Sequence, residues 1–304
     1  MKKIILSLAL FATCMVGNAQ TQIKANFQKG DSAVYASTIL MHAGKDVESK
    51  MKAETNYVVQ DVQADGYIIK TTMTDLTTEG DVADDVIFQT LSMQKGVTLI
   101  IKTDLNGKPI KLINYVDVKN VCAAYCKNMV EEMAADNPEF FEQMSKENMI
   151  DAMINQLTEE KLLDDADQAT GFFALYGKTL KTGDVESNVE RGIKINTTYQ
   201  VTPMMGKLTV IGKSECAMSN EEVKTMFMEQ IDKAGLPADQ AVMIKAQYDQ
   251  IAAMGMAKIV LDGEDTYLFQ KNSWLQESKM TYNMDMFGET ITSNINASCK
   301  FLNR

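Results

Sequence analysis

His42 is the only histidine in the 304-residue sequence. A serine or cysteine nucleophile that needs an imidazole base would have to use it. No Gly-x-Ser-x-Gly elbow is present, because Gly212-Lys-Ser-Glu-Cys216 lacks the closing glycine. One His and no Cys-x-x-Cys pair leave a zinc ion short of ligands. Neither a Gly-x-x-x-x-Gly-Lys phosphate loop nor a dinucleotide fingerprint occurs. His42, in Leu40-Met-His-Ala-Gly44, reads as a structural or solvated residue at a strand end.

Carboxylates are the next source of chemistry. Asp81, Asp84 and Asp85 cluster after Gly80, and Asp164, Asp165 and Asp167 form a second group. A calcium loop counted from Asp165 needs Gly at its sixth place and Glu at its twelfth, where this chain has Thr170 and Tyr176. Both groups therefore read as solvated acidic loops. A glycosidase pair would want aromatic sugar platforms, and there is a single Trp. The expectation is a protein that is not an enzyme and carries no cofactor and no metal.

Methionine is unusually frequent, with 22 in the chain. Thioethers bind Cu(I), but most of these methionines fall on apolar stripes of predicted elements. They read as packing, or as an adaptable lining for an apolar ligand.

The first twenty residues read as an address. Lys2 and Lys3 precede an apolar run from Ile4 to Val16, too short to span a bilayer. Gly17-Asn-Ala19 places small residues for cleavage after Ala19. A lipoprotein site at Cys14 is the rival, opposed by Thr13 and Phe11 where such sites want other residues. Export to the periplasm or cell surface is the expectation. Cleavage takes the formal charge from -11 to -13. That acidity excludes a general nucleic-acid binder. It also opposes approach to anionic membranes unless a local patch differs. No other run reaches the roughly 18 apolar residues of a spanning helix.

Four cysteines remain after cleavage: Cys122, Cys126, Cys216 and Cys299. Cys216 and Cys299 lie near strand ends and are open to pairing. A chain of this size does not need such staples, and small buried thiols are the other reading.

Alternation at period two marks the strands. Met280, Tyr282, Met284 and Met286 alternate with polar residues, and Ile291, Ile295, Ala297, Cys299 and Phe301 continue the apolar face after a turn. Hairpins are predicted around Gln63–Gly66, Asp104–Lys108 and Asp262-Gly263. Val118, Val121, Cys122, Tyr125, Met129, Val130 and Met133 repeat at helical spacing. Asn137-Pro138 is predicted to open a further helix, with Phe141, Met144, Met149, Ile150, Met153, Ile154 and Leu157 as its stripe. Ser219-Asn-Glu-Glu222 is a capping box. Gly235 and Pro237 are predicted to divide that helix from the next.

The order divides the chain into a signal peptide (1–19), a first β-α-β half (20–180) and a second (181–304) packed closely on it. Lys29-Gly-Asp31 resembles Thr182-Gly-Asp184, and Tyr57-Val-Val resembles Tyr199-Gln-Val, as in a degenerate duplication. The predicted fold is α+β, a curved antiparallel half-barrel partly covered by helices.

Phe27-x-x-Gly-Asp31, the Asn106-Gly-Lys108 turn and Trp274-Leu-Gln-Glu-Ser-Lys-Met280 together resemble uncharacterised secreted proteins of Gram-negative bacteria. Their pattern is similar to the lipoprotein-carrier (LolA-like) half-barrel. That resemblance implies a non-catalytic protein holding a lipid acyl chain or lipoprotein between sheet and helices. The residues expected to line it are Met280, Tyr282, Met284, Met286, Ile291 and Ile295. The alternative is a structural or protein-interaction module that presents rows such as Thr290, Thr292, Asn294 and Asn296 to a partner. A hydrolase is a third reading.

Overall fold

The computed structural model describes residues 20–43, 47–80, 91–136, 138, 141, 145–190, 192–216, 218–233 and 238–304. The signal peptide, the Asp81, Asp84 and Asp85 cluster, Asn137, Gly235 and Pro237 lie outside the described residues.

Strands β2 (Ser32–Ala43), β3 (Val47–Gln63), β4 (Gly66–Gly80), β5 (Thr98–Thr103) and β6 (Pro109–Leu112) form one side of a curved antiparallel sheet. Its other side is built from β8 (Val185–Glu190), β9 (Ile193–Met204), β10 (Lys207–Cys216), β11 (Ile259–Phe269), β12 (Leu275–Met286) and β13 (Glu289–Asn303). The seam is β2 against β13, so both parts of the chain share one 11-stranded sheet. The short β1 (Thr21–Gln22) and β7 (Thr179–Leu180) pair separately. Helices are α1 (Tyr115–Asp136), α2 (Lys146–Gln156), α3 (Glu159–Asp165), α4 (Asn220–Lys233) and α5 (Ala238–Ala253).

Two Gly-Asp lead-ins enter the sheet in the same way. Asp31 accepts the Gln28 N–H on Oδ2, and Gly30 N–H and Asp31 C=O clamp Val59 of β3. Asp184 accepts the Lys181 N–H, and Gly183 N–H and Asp184 C=O clamp Tyr199 of β9. A carboxylate closing its own turn is the usual use of Asp there. By position in this clamp Tyr199 answers to Val59, two residues from the Tyr57 match read in the sequence.

Two local expectations are corrected. Asp262-Gly263 is not a turn, because β11 runs straight through it. A Cβ at Gly263 would stand 2.7 Å from Cδ1 of Tyr282, so glycine there makes room for a cross-strand ring. In α1 the buried stripe is Val118, Cys122, Cys126, Val130 and Ala134, every fourth residue, while Val121 and Met133 are exposed. The helix therefore buries a narrower face than the apolar residues spell out. The next described helix, α2, is capped by Ser145, whose Oγ accepts the Asn148 N–H, and buries no residue of its own. The Ser219 capping box forms as written, with Glu222 reaching back to the Ser219 N–H at 2.8 Å.

The core sits on the concave face under the segment after α3. Phe172, fully buried, stacks on Tyr57 at 4.3 Å between centroids and meets Phe27, Tyr35, Phe173, Tyr176 and Trp274. Residues 166–180 thus plug the centre of the half-barrel.

Candidate functional site

The six residues picked from the sequence share one face of the β12–β13 hairpin. Met280 is opposite Ile295, and Met284 is opposite Ile291. Tyr282 and Met286 occupy the same face by alternation, since side chains two apart point the same way. Tyr282 donates its hydroxyl to Asp265 Oδ2 at 2.8 Å. Their burial is graded along the strands. Met280 and Ile295 are buried in a cluster with Ile39, Met51, Met73 and Leu91. Tyr282, Met284, Met286 and Ile291 are half-buried, as is Met41 across the seam on β2.

Elsewhere the covering is tight. Between the sheet and residues 94–97, 166 and 169, the free space bounded by Thr55, Thr71 and Met73 is about 10 Å³. That holds one water at most, and no alkyl chain fits. A hollow interface between sheet and helices, expected from the sequence, is therefore not found at this place.

Asp167 was missed as a half-buried, engaged carboxylate, and Asp165 as a buried one. Asp167 does not sit in a solvated acidic loop. Its Oδ2 accepts the Phe173 N–H at 2.8 Å, and its Oδ1 accepts the Thr170 hydroxyl at 3.2 Å. Thr170 Oγ1 is in turn 2.6 Å from the Tyr57 hydroxyl, and its carbonyl accepts the Ser278 hydroxyl at 2.6 Å. Burial pushes the Asp167 carboxyl up to about 7 against the opposing pull of its N–H and hydroxyl donors. Loss of water also raises the Tyr57, Tyr176 and Tyr267 phenols around it. The available signal was the aromatic run Phe172-Phe-Ala-Leu-Tyr176 between two glycines, which no loop needs.

His42 is half-buried on β2, in register with Thr292 of β13 and Glu48 of β3. Lys178, Glu186 and Tyr199 form a polar knot on the inner face, with Tyr199 donating to Glu186 at 2.9 Å. Among the described residues, no group of three or more His, Cys, Asp or Glu is gathered to hold a metal ion.

All four described cysteines are free thiols. Cys216 is on β10 and Cys299 on β13, with β11 and β12 between them. Strands spaced about 4.8 Å apart put that pair far beyond bridging distance. Cys122 and Cys126 are buried on α1, and burial pushes the Cys122 thiol up to about 11. Titration of the native protein with a maleimide is expected to modify Cys216 and Cys299 first. Cys122 and Cys126 should react only on unfolding, and fast native labelling of Cys122 would contradict this packing.

No protein-family model matches the chain, and comparison with curated proteins finds no match. A comparison with solved structures aligns it to a chain described as "lipid-protein interactions in lipovitellin", at 9% identity and a TM-score of 0.43. The alignment covers 91% of this chain and 26% of that one, so this chain spans about a quarter of its neighbour's length. Likeness at that level carries no argument about the site. No described helix is long and apolar enough to cross a membrane.

Proposed function

We propose that this is an exported, non-catalytic binding protein. It holds an apolar ligand, a lipid acyl chain or the lipid of a lipoprotein, on the concave face beyond the plug. One observation carries this reading. Met41, Tyr282, Met284, Met286 and Ile291 form a half-buried row, continuous with the buried Met280 and Ile295. Unbranched thioethers adapt to a chain of variable shape. An acyl chain covering about 200 Å² of that row gains about 5 kcal/mol from apolar burial, before the cost of association.

Displacement of a fluorescent fatty-acid probe tests the reading. Met284→Asp and Ile291→Asp are each expected to weaken probe binding by at least tenfold, since a buried carboxylate meets the chain without a partner. A wild-type protein that neither binds the probe nor carries lipid in native mass spectrometry would sink it.

The plug supports a second reading, a scaffold or interaction module with no small ligand. Its polar candidates already pair within the sheet: Thr290 donates to Asp285 at 2.6 Å and Thr292 to Asn283 at 3.0 Å. Under this reading the two aspartate variants leave probe signals as flat as the wild type's.

A further inference from the structure

At the other end of β12 from the methionine row, three chain segments meet around an open concavity of about 400 Å³. Lys24 follows β1, Lys207 opens β10, and Lys271 lies in the turn before β12. No Asp or Glu lines the concavity. None of these three lysines forms an ion pair among the described residues, whereas Lys29, Lys50, Lys52, Lys102 and Lys178 all do.

The turn between β9 and β10 supplies the apolar part. Met204 is 67% exposed and Met205 97% exposed. Met205 is held at φ +51°, a left-handed conformation that side chains other than Gly, Asn and Asp rarely adopt. A Cβ at Gly206 would lie 3.2 Å from Cγ of Lys271, so glycine lets the Lys271 stem rest over this turn. Long apolar side chains held out in water beside ammonium groups that carry no carboxylate partner, Lys207 donating only to Gln276 Oε1 at 3.4 Å, are the pairing that a lipid–water boundary satisfies. A free anion would engage the lysines and leave both thioethers in water.

We propose that this end of the sheet docks on an anionic lipid surface. Met204 and Met205 enter the headgroup–acyl boundary, and Lys24, Lys207 and Lys271 meet lipid phosphates. The overall acidity does not forbid this. Charges more than about 8–10 Å from the surface are screened at physiological salt, so the membrane meets the patch rather than the whole chain. The patch stands apart from the methionine row along β12: Met280, the row's nearer end, lies five residues beyond Leu275, roughly 17 Å along the strand. Failure of either proposal leaves the other standing.

Co-sedimentation of the mature protein with vesicles tests it. Binding is expected to phosphatidylcholine vesicles containing one-third phosphatidylglycerol, and not to phosphatidylcholine alone. Each lysine near such a surface contributes about 1 kcal/mol, or about fivefold. The triple variant Lys24→Gln, Lys207→Gln, Lys271→Gln should therefore lose about a hundredfold, and 0.5 M salt should weaken the wild type. Met205→Ser should weaken binding without altering its salt dependence. All four side chains are exposed, so the melting profile serves as a control for folding. No binding to anionic vesicles, equal binding to both kinds, or an unchanged triple variant would overturn the proposal. So would millimolar inorganic phosphate that abolishes binding at constant ionic strength, since that marks a free-anion site.

Discussion

Phe172→Ala is expected to cost about 3–5 kcal/mol of stability, the range for truncating a fully buried ring. Phe172 has no exposed surface and touches six aromatic rings, two of them on β2 and β3 and one beside the start of β12. Tyr35 and Tyr57 belong to paired strands and cannot collapse into the space without moving the sheet, so the cavity term adds to the lost transfer energy. Urea denaturation should show a lower midpoint at an unchanged slope. Leu105→Ala, at a position 56% exposed, is the control and should move the free energy by no more than about 0.5 kcal/mol. A loss under about 1 kcal/mol at Phe172 would mean that the 166–180 segment is not an integral part of the core.

Stability is also expected to fall as pH rises through neutrality, and Asp167 is the reason. Its carboxyl titrates near 7 in the folded chain, against an ordinary value of 3.8. The folded state therefore holds a proton that the unfolded state has released, and stability drops with pH wherever that is so. The contribution is complete below about pH 4 and is lost as pH passes 7. About three pH units correspond to a few kcal/mol, on the order of 4. The exposed Glu79 has the opposite sign, because Lys52 and Lys50 hold its carboxyl down to about 2. Its contribution is present above about pH 4.5 and disappears on acidification, which leaves the range from 5 to 8 to Asp167. Unfolding free energies measured across that range should slope downward. Asp167→Asn keeps an acceptor for the Phe173 N–H and should flatten the slope. A wild-type curve that is flat or rises from pH 5 to 8 would show that the N–H and hydroxyl donors, rather than burial, govern this carboxyl.

These two residues also mark the limit of what the sequence made legible. Strict alternation from Met280 to Met286 identified a one-faced strand, and the structure pairs that strand with β13 in the register the alternation implies. The Ser219 box and the Asn106-Gly107 turn were equally plain, because each closes hydrogen bonds within a few residues of its own segment. Asp262-Gly263 failed for the opposite reason. Its glycine answers to the Tyr282 ring, 19 positions away in the chain, and a local rule took that for a turn. Val121 and Met133 failed likewise, since helical spacing shows which residues are apolar and not how wide a face the neighbours cover.

The candidate site was half legible. The shared face of Met280, Tyr282, Met284, Met286, Ile291 and Ile295 followed from a period of two. Their division into buried and half-buried members did not, because it depends on where the plug ends. The three lysines around Met205 were invisible as a group, being separated by 183 and 64 positions and joined only when the sheet brings its turns together.

By itself, then, the sequence determined the local units: strands with one apolar side, capped helices, Gly-Asp lead-ins, and a chemistry poor in bases and metal ligands. Tertiary structure alone decided that β2 and β13 join those units into one sheet, that an aromatic loop fills its centre, and that lysines from distant turns meet. Periodicity and capping are short-range constraints, written in neighbouring residues. Pairing across a seam, and the filling of a concavity, depend on surfaces that exist only once the chain has closed on itself.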